Sequence, residues 1–244
     1  MEIIYPDEFL NFIGNEENYR EDEYLRSKKK VSKRAYRECL LDPCDVTILI
    51  IDAQPQMFFG VEDKPRLKVM NNIVGLVKAA KIFNVPVILT TVAEKEFSGP
   101  IYSKIQELCP RQVPINRSTL NAWEDERVRR AVCETGRKKL IIAGLWTEVC
   151  ITFPTLSAIS DGYEVYVVTD ASAGSSKEAH KMAINRMMQY KAKMVTWQSV
   201  LLEFQRDWNN KETYDAVTKV IREHGGAYGI GIEYVKEMFK KCRD

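Results

Sequence analysis

From residue 45 onward, short apolar runs alternate with longer stretches in which apolar positions recur at helical spacing. The apolar runs have few polar interruptions, which is typical of strands covered on both faces of a sheet. The pattern predicts strands at 46–52, 85–91, 112–116, 139–144, 163–170 and 192–197. It predicts helices at 65–83, 123–134, 147–159, 176–190 and 230–241. Strands and helices that alternate as βαβ units predict a three-layer α/β/α fold around a six-stranded, mostly parallel sheet.

The first 44 residues differ from the rest of the chain. The stretch EENYREDEYLRSKKKVSKR is dense in both signs of charge and has little apolar periodicity. We therefore expect a charged N-terminal arm over 1–44 and a single α/β domain over 45–244 that includes the C-terminal helices. The arm is either a solvated extension or a segment that packs on a neighbouring subunit.

Composition narrows the possible partners. The chain has 36 Lys and Arg against 34 Asp and Glu, a formal net charge of +2, so no nucleic-acid-binding surface is indicated. No apolar run reaches the roughly 18 residues of a membrane span, and acids stand where a secretion signal carries bases. The six cysteines have no paired spacing, which favours a reducing compartment. We expect a cytoplasmic protein without nucleic-acid or membrane partners.

Nucleotide binding is common in this fold class, but the sequence argues against it. No glycine-rich phosphate-binding fingerprint follows the first strand, which runs into IIDAQPQMFFG. Gly225, Gly226 and Gly229 follow no clear strand and are interpreted as a turn. We therefore expect no nucleotide cofactor.

The segment KKLIIAGLWTEVC, residues 138–150, joins a predicted strand to a predicted helix. Gly144 permits a sharp turn out of the sheet, and Thr147 is expected to cap the helix. Cys150 would then be the third helical residue, where free N–H groups and the helix dipole favour a thiolate. Pro154 predicts a bend just beyond it. The alternative is that Cys150 is a small, buried core residue.

Polar residues at the carboxyl ends of parallel strands commonly form the ligand site. Asp52, Arg117 and Cys150 follow the first, third and fourth strands, and together they supply a carboxylate base, a fixed positive charge and a sulfur nucleophile. That set is sufficient for acyl transfer. The alternative is a structural Asp52–Arg117 ion pair, with Gln54 bonded to backbone.

Three stretches carry a resemblance to a known family: LIIDAQPQMF (49–58), INRSTLNAW (115–123) and IIAGLWTEVCITFPTLSAISDGYEVYVVTDAS (141–172). The chain resembles the isochorismatase-like cysteine hydrolases over about residues 45–208. The continuation HKMAINRMMQYKAKMVTWQSVLLEFQRDW is similar to a subgroup of bacterial hydrolases that assemble as ring-like oligomers. The resemblance implies a Rossmann-like strand order 3-2-1-4-5-6, a homo-oligomer and hydrolysis of a small amide-type substrate through a thioester on the cysteine.

The resemblance also assigns roles to residues. It makes Cys150 the nucleophile and Asp52 the base, with Arg117 where most of the family has lysine. It implies a cis peptide between Leu145 and Trp146, which would aim the backbone N–H groups of Trp146 and Cys150 at one point as an oxyanion hole. Because arginine stays protonated, its role is expected to be electrostatic.

The expected substrate site lies near the same strand ends. Its candidate residues are Gln54, Phe58, Asn121, Trp123 and Trp146. Core packing is the alternative for the aromatic residues, and helix capping is the alternative for Asn121. Nicotinamidases of this family hold a metal with an aspartate and histidines, but this chain has no histidine before His180. We therefore expect neither a metal nor another cofactor.

Two further functions remain open on sequence grounds. A chain that keeps the scaffold without catalysis would be an oligomeric interaction protein. A reversibly oxidised Cys150 would make it a redox sensor.

Overall fold

The structure is a computed structural model that describes residues 40–241. A compact unit begins at Leu41, whose side chain is fully buried. The carbonyl of Leu41 accepts a hydrogen bond from Arg206, and that of Pro43 accepts one from Arg137. Residues 41–44 therefore belong to the folded unit, whereas the rest of the expected N-terminal arm lies outside the described residues.

Six strands form one parallel sheet in the order β3-β2-β1-β4-β5-β6. They are β1 (Val46–Ile51), β2 (Val87–Val92), β3 (Ile115–Arg117), β4 (Lys139–Leu145), β5 (Glu164–Ala173) and β6 (Lys193–Val195). This confirms the fold class and the implied strand order. The order reverses between β1 and β4, and in open parallel sheets a crevice forms at the carboxyl ends on either side of such a reversal.

The sheet separates two apolar cores, and β1 contributes to both. Ile48 and Ile50 pack into the core on one face, whereas Leu49 and Ile51 pack into the core on the other. Successive strand side chains point to opposite faces, so an uninterrupted apolar run fits a strand with a core on each side. Burial of each such side chain stabilises the fold by about 1.5–3 kcal/mol relative to exposure.

Helices cover both faces of the sheet. Within residues 40–241 the α-helices are α1 (Pro55–Phe59), α2 (Arg66–Ile82), α3 (Ser103–Leu108), α4 (Glu126–Glu134), α5 (Thr152–Ser160), α6 (Lys177–Gln189), α7 (Trp197–Gln205), α8 (Lys211–His224) and α9 (Ala227–Lys241). Helices α2, α7 and α8 pack together on one face, and α4, α5 and α6 bury side chains in the core of the other. In this part of the chain, none of the helices combines the length and apolarity that crossing a bilayer requires.

The helices differ from the prediction mainly after β6. The sequence pattern missed α7 and α8, although α8 buries Val217, Val220 and Ile221 at helical spacing. The predicted turn at Gly225 and Gly226 separates α8 from α9, while Gly229 lies inside α9. The predicted helix 147–159 begins instead with a separate turn, Thr147–Ile151.

Gly144 lies where β4 approaches β1 most closely. It pairs with Ile51 across the two strands, and the register with β5 shifts between Ile142 and Gly144. Its φ is 137°, and a Cβ atom there would lie 1.8 Å from the Ile51 carbonyl oxygen. Backbone rather than a movable side chain occupies that space, so only glycine fits.

We predict that Gly144→Ala lowers the free energy of unfolding by about 2–4 kcal/mol, because it adds a clash with backbone to an unfavourable φ. Urea denaturation followed by circular dichroism measures the loss. Gly136→Ala is the matched control, since Gly136 has a φ of 68° and a Cβ atom there would have no neighbouring atom within 4 Å. It should cost about 1 kcal/mol, and equal losses in the two variants would contradict the steric argument.

Candidate active site

Asp52 is the first residue after β1, at the carboxyl edge of the sheet. Its backbone is left-handed, with a φ of 51°, and its carboxylate is fully buried. Oδ2 accepts a hydrogen bond from the Arg117 guanidinium at 2.6 Å. Oδ1 accepts one from the Thr90 hydroxyl at 3.2 Å. The strand order explains the cluster, because β2 lies beside β1, β3 lies beside β2, and all three strands end at the same edge.

Arg117 is the last residue of β3, and its side chain has no solvent exposure. Besides the bond to Asp52, its Nη1 donates to the carbonyl of Thr119. Its Nε has no hydrogen-bond partner among the residues that the structure describes. A buried guanidinium is tolerated where a carboxylate balances its charge. Arg117 therefore supplies a fixed positive charge beside Asp52.

Cys150 reaches the same cluster from the turn after β4. The residue is 3% exposed, its thiol is hydrogen bonded to Asp52, and the backbone N–H of Trp146 is hydrogen bonded to its sulfur. The structure thus brings together the three predicted catalytic side chains, which are more than 30 positions apart in sequence.

The expectation of a thiolate in the resting protein is wrong. Burial raises the pKa of the Cys150 thiol to about 12, and the negative charge of Asp52 adds to the rise. Arg117 and the Trp146 N–H favour the thiolate, but they do not offset burial and Asp52. Near neutral pH the sulfur therefore carries its proton.

The negative charge of the cluster belongs to Asp52. Burial has the largest effect and raises the pKa of this carboxyl above its ordinary value, although the positive charge of Arg117 and hydrogen bonds from Cys150, Thr90 and Arg117 oppose the rise. Three donors thus stabilise a carboxylate at this position, and the thiol is one of them. The resting arrangement is a neutral thiol that donates to a carboxylate held by a guanidinium.

The turn that carries Cys150 differs from an ordinary helix start. The Leu145–Trp146 peptide bond is cis, and the Ile151 N–H donates to the Trp146 carbonyl, which closes a π-helical turn. Trp146 is the N-cap residue, so the predicted Thr147 cap is wrong. Pro154 follows within α5, where it has no N–H to offer the Cys150 carbonyl. The π turn therefore takes the place of a regular first turn ahead of the proline.

Two of the predicted substrate-binding residues use their side-chain amides within the protein. Gln54 donates to the carbonyls of Val92 and Gly99, and it accepts from the Val92 N–H. Asn121 accepts from the Trp123 N–H and donates to Glu124 and Ser157. These contacts match the two alternatives: Gln54 is bonded to backbone, and Asn121 caps a helical turn.

The three aromatic candidates lie in different surroundings. Trp123 is buried in the same core as Cys150, and its indole N–H donates to Asp161 at 2.7 Å. Phe58 is buried in the core on the α2 face. Trp146 remains partly exposed while its indole N–H donates to the Met57 carbonyl. It is the aromatic candidate whose backbone also reaches the sulfur.

Thr90 is a site residue that the sequence analysis did not single out. It lies in β2 and pairs with Ile51, the residue before Asp52. Its hydroxyl bonds the carboxylate directly. The signal that identifies it is a polar residue in an apolar strand at the level where the neighbouring strand ends.

Side chains that commonly ligate metals do not cluster in the described part of the chain. Between residues 40 and 241 no group of three or more His, Cys, Asp or Glu side chains is placed to hold a metal ion. At the carboxyl edge of the sheet, the Cys150 thiol is hydrogen bonded to the Asp52 carboxylate.

Comparisons with known proteins identify the family. A family model for the isochorismatase domain matches residues 46–199. The probable hydrolase YcaC of Escherichia coli (strain K12) is 42% identical over 171 residues, which cover 70% of this chain and 82% of that protein.

Solved structures agree with the sequence match. The Escherichia coli YcaC structure is 38% identical, covers 82% of this chain and 97% of its own, and superimposes with a TM-score of 0.78; it is described as an octameric hydrolase of unknown specificity. YcaC from Pseudomonas aeruginosa, solved with hexane-2,5-diol and covalent acrylamide, is 37% identical, covers 81% and 97%, and has a TM-score of 0.77. The chain therefore belongs to the isochorismatase-like hydrolase family.

Proposed function

We propose that this protein is a cysteine hydrolase that cleaves a small amide-type C–N bond through a covalent thioester on Cys150. The observation that carries the proposal is the hydrogen-bonded set of Cys150, Asp52 and Arg117, buried together at the carboxyl edge of the sheet. A nucleophile, a base within hydrogen-bond reach and a group that orients the base are the parts that covalent catalysis requires.

The first half of the reaction forms the thioester. Asp52 accepts the thiol proton as the sulfur forms a bond to the substrate carbonyl carbon, and the carbonyl electron pair moves to oxygen. When the tetrahedral intermediate collapses, the C–N bond breaks and the amine leaves with the proton from Asp52. Proton transfer and attack are concerted in this scheme, which suits a thiol that is not ionised at rest.

The second half releases the acid. Water attacks the thioester while Asp52 takes one of its protons, and the S–C bond then breaks. The sulfur recovers the proton from Asp52, so the resting arrangement is restored. One carboxylate serves as base and then as acid in each half.

Arg117 has an electrostatic role in this scheme. A guanidinium keeps its proton throughout, so it does not take part in proton transfer. Its 2.6 Å contact with Asp52 favours the ionised carboxylate and fixes its direction. The same charge stabilises negative charge that develops on sulfur.

The oxyanion is proposed to bind the backbone N–H groups of Trp146 and Cys150. The Trp146 N–H already lies beside the sulfur, and both residues belong to the single π turn that follows β4. Loss of one such donor typically lowers turnover about 10²- to 10³-fold.

The relatives support two parts of the proposal. Acrylamide is an electrophile that reacts with nucleophilic thiols, and the Pseudomonas aeruginosa YcaC structure contains it in covalent form. The Escherichia coli YcaC is octameric, which supports a homo-oligomer here. A redox sensor has less support, because oxidation favours exposed thiolates and Cys150 is a buried thiol with a raised pKa.

We predict that acrylamide alkylates Cys150 selectively. The S–C bond forms at the terminal alkene carbon, and the thiol proton passes through Asp52 to the neighbouring carbon. Asp52→Asn should slow the reaction about 10²- to 10⁴-fold, the range for loss of a general base. The rate should rise as pH passes the raised pKa of Asp52 and then level off, whereas a reaction limited by a free thiolate rises about tenfold per pH unit up to the thiol pKa.

Mass spectrometry of digested protein measures the adduct at each cysteine. Cys109 is the matched control, because it is also buried, burial also raises its pKa, and no carboxylate among residues 40–241 affects that pKa. Cys150→Ala should abolish the fast adduct and leave the fold intact. Labelling of Cys150 no faster than Cys109 would favour the non-catalytic interaction protein.

We predict that Arg117→Met lowers the free energy of unfolding at pH 7 by about 3–5 kcal/mol, because it leaves the Asp52 charge buried without a partner. The double variant Asp52→Asn with Arg117→Met should recover part of that loss. Urea denaturation of both single variants and the double variant closes the cycle. Strictly additive losses would show that the two side chains do not interact in the folded protein.

A further inference from the structure

A second, partly buried polar cluster contacts the turn that carries Cys150. The Lys64 ammonium donates to the carbonyls of Thr169 and Ser172, both at 2.8 Å, and lies 2.8 Å from Nε2 of His180. The other ring nitrogen of His180, Nδ1, lies 2.8 Å from the Thr147 hydroxyl. A continuous set of hydrogen bonds therefore runs from the end of β5, through α6, to the first residue of the catalytic turn.

The partners fix the protonation of the imidazole. An ammonium group has donors and no acceptor, so Nε2 must be the acceptor in its contact with Lys64. The proton of neutral His180 therefore lies on Nδ1, from which it is donated to the Thr147 hydroxyl oxygen. Burial and the charge of Lys64 lower the pKa of His180, against the opposing charges of Asp63 and Glu148. Burial and Lys64 prevail, so the imidazole is neutral near pH 7.

Thr147 is placed so that this contact affects the chemistry. It lies between Trp146 and Cys150, and its side chain is fully buried. Its carbonyl also accepts a hydrogen bond from the Thr152 hydroxyl at 2.6 Å. The hydroxyl of Thr147 is thus hydrogen bonded to α6, and its carbonyl is hydrogen bonded to α5.

We infer that His180 is a positioning residue for the oxyanion site: through its Nδ1–H bond to the Thr147 hydroxyl, it sets the direction of the Trp146 and Cys150 N–H groups. This inference rests on the proposed function. Among the described residues the side-chain hydrogen bonds of His180 go to Lys64 and Thr147, so it acts on the oxyanion site through Thr147. Its Nδ1 also lies 3.4 Å from the Asp63 carboxylate. Lys64 has the supporting role of fixing the imidazole tautomer.

The test compares two alkylating reagents at Cys150. Acrylamide develops negative charge on its carbonyl oxygen during addition, so its rate depends on the oxyanion site, whereas iodoacetamide reacts by displacement and develops none there. Thr147→Val should lower the acrylamide rate about 10- to 100-fold relative to the iodoacetamide rate, the effect of misplacing groups that bind the transition state. Thr147→Ser keeps the hydroxyl and should restore the ratio. Thr155→Val is the matched control, since its buried hydroxyl has no partner among the described residues.

Two substitutions at His180 separate its contacts without altering the turn. The amide nitrogen of His180→Asn replaces Nδ1 and keeps the donor to Thr147, so the ratio should stay near wild type. The amide oxygen of His180→Gln replaces Nε2 and keeps only the contact with Lys64, so the ratio should fall as in Thr147→Val. This pair decides the matter even if Thr147→Val does not fold.

The possible results distinguish a failure of the proposed function from a failure of the positioning role of His180. If wild-type Cys150 shows no selective labelling, the proposed function fails. If wild-type labelling is selective while His180→Gln and Thr147→Val keep the wild-type ratio, the function stands and the positioning role is wrong.

Discussion

Two opposite charges, both removed from water, meet at the carboxyl edge of the sheet where β1 and β3 end. Transfer of a carboxylate or a guanidinium into a protein interior costs several kcal/mol for each group, so neither persists there without the other. The 2.6 Å contact between Asp52 and Arg117 meets that requirement. It also spans β2, which lies between the two strands and supplies the Thr90 hydroxyl. The position of the base thus depends on the order of three strands.

The Asp52–Arg117 pair also influences whether the proton lies on the Cys150 sulfur or on the Asp52 carboxylate. A favourable charge at a helix N-terminus is worth about 0.3–1 kcal/mol, whereas a rise in the thiol pKa from 9.0 to about 12 corresponds to roughly 4 kcal/mol. Burial and the neighbouring carboxylate therefore outweigh the start of the helix. The outcome is a thiol that keeps its proton at rest beside the carboxylate proposed as its base.

The sequence was sufficient where a residue's role follows from its position on a strand. Asp52 and Arg117 end strands of a parallel sheet, and Cys150 follows the next strand after a glycine, so their convergence follows from topology alone. The roles of Gln54 and Asn121 depend on backbone and side chains far away in sequence, such as Gly99 and Ser157, and no local pattern encodes those contacts.

The thiol pKa and the cluster around His180 were beyond the sequence for the same reason. The depth at which Cys150 is buried depends on packing from both sides of the sheet, and local spacing showed only the start of a helix. His180 is isolated in the sequence, and its partners Lys64 and Thr147 are separated from it by 116 and 33 positions. No local pattern therefore indicates its bond to the turn that carries Cys150.

The buried amide of Gln54 has a consequence for substitutions in the stretch that follows β2. It is hydrogen bonded to the main chain at Val92 and at Gly99. The stretch between these two residues contains a short π turn, in which the Phe97 side chain is exposed to solvent. Because the buried Gln54 side chain holds both ends of that stretch, its exposed side chains do not determine where the ends lie. Substitutions at exposed positions such as Phe97 should therefore leave the end of β2 and the neighbouring Asp52 in place.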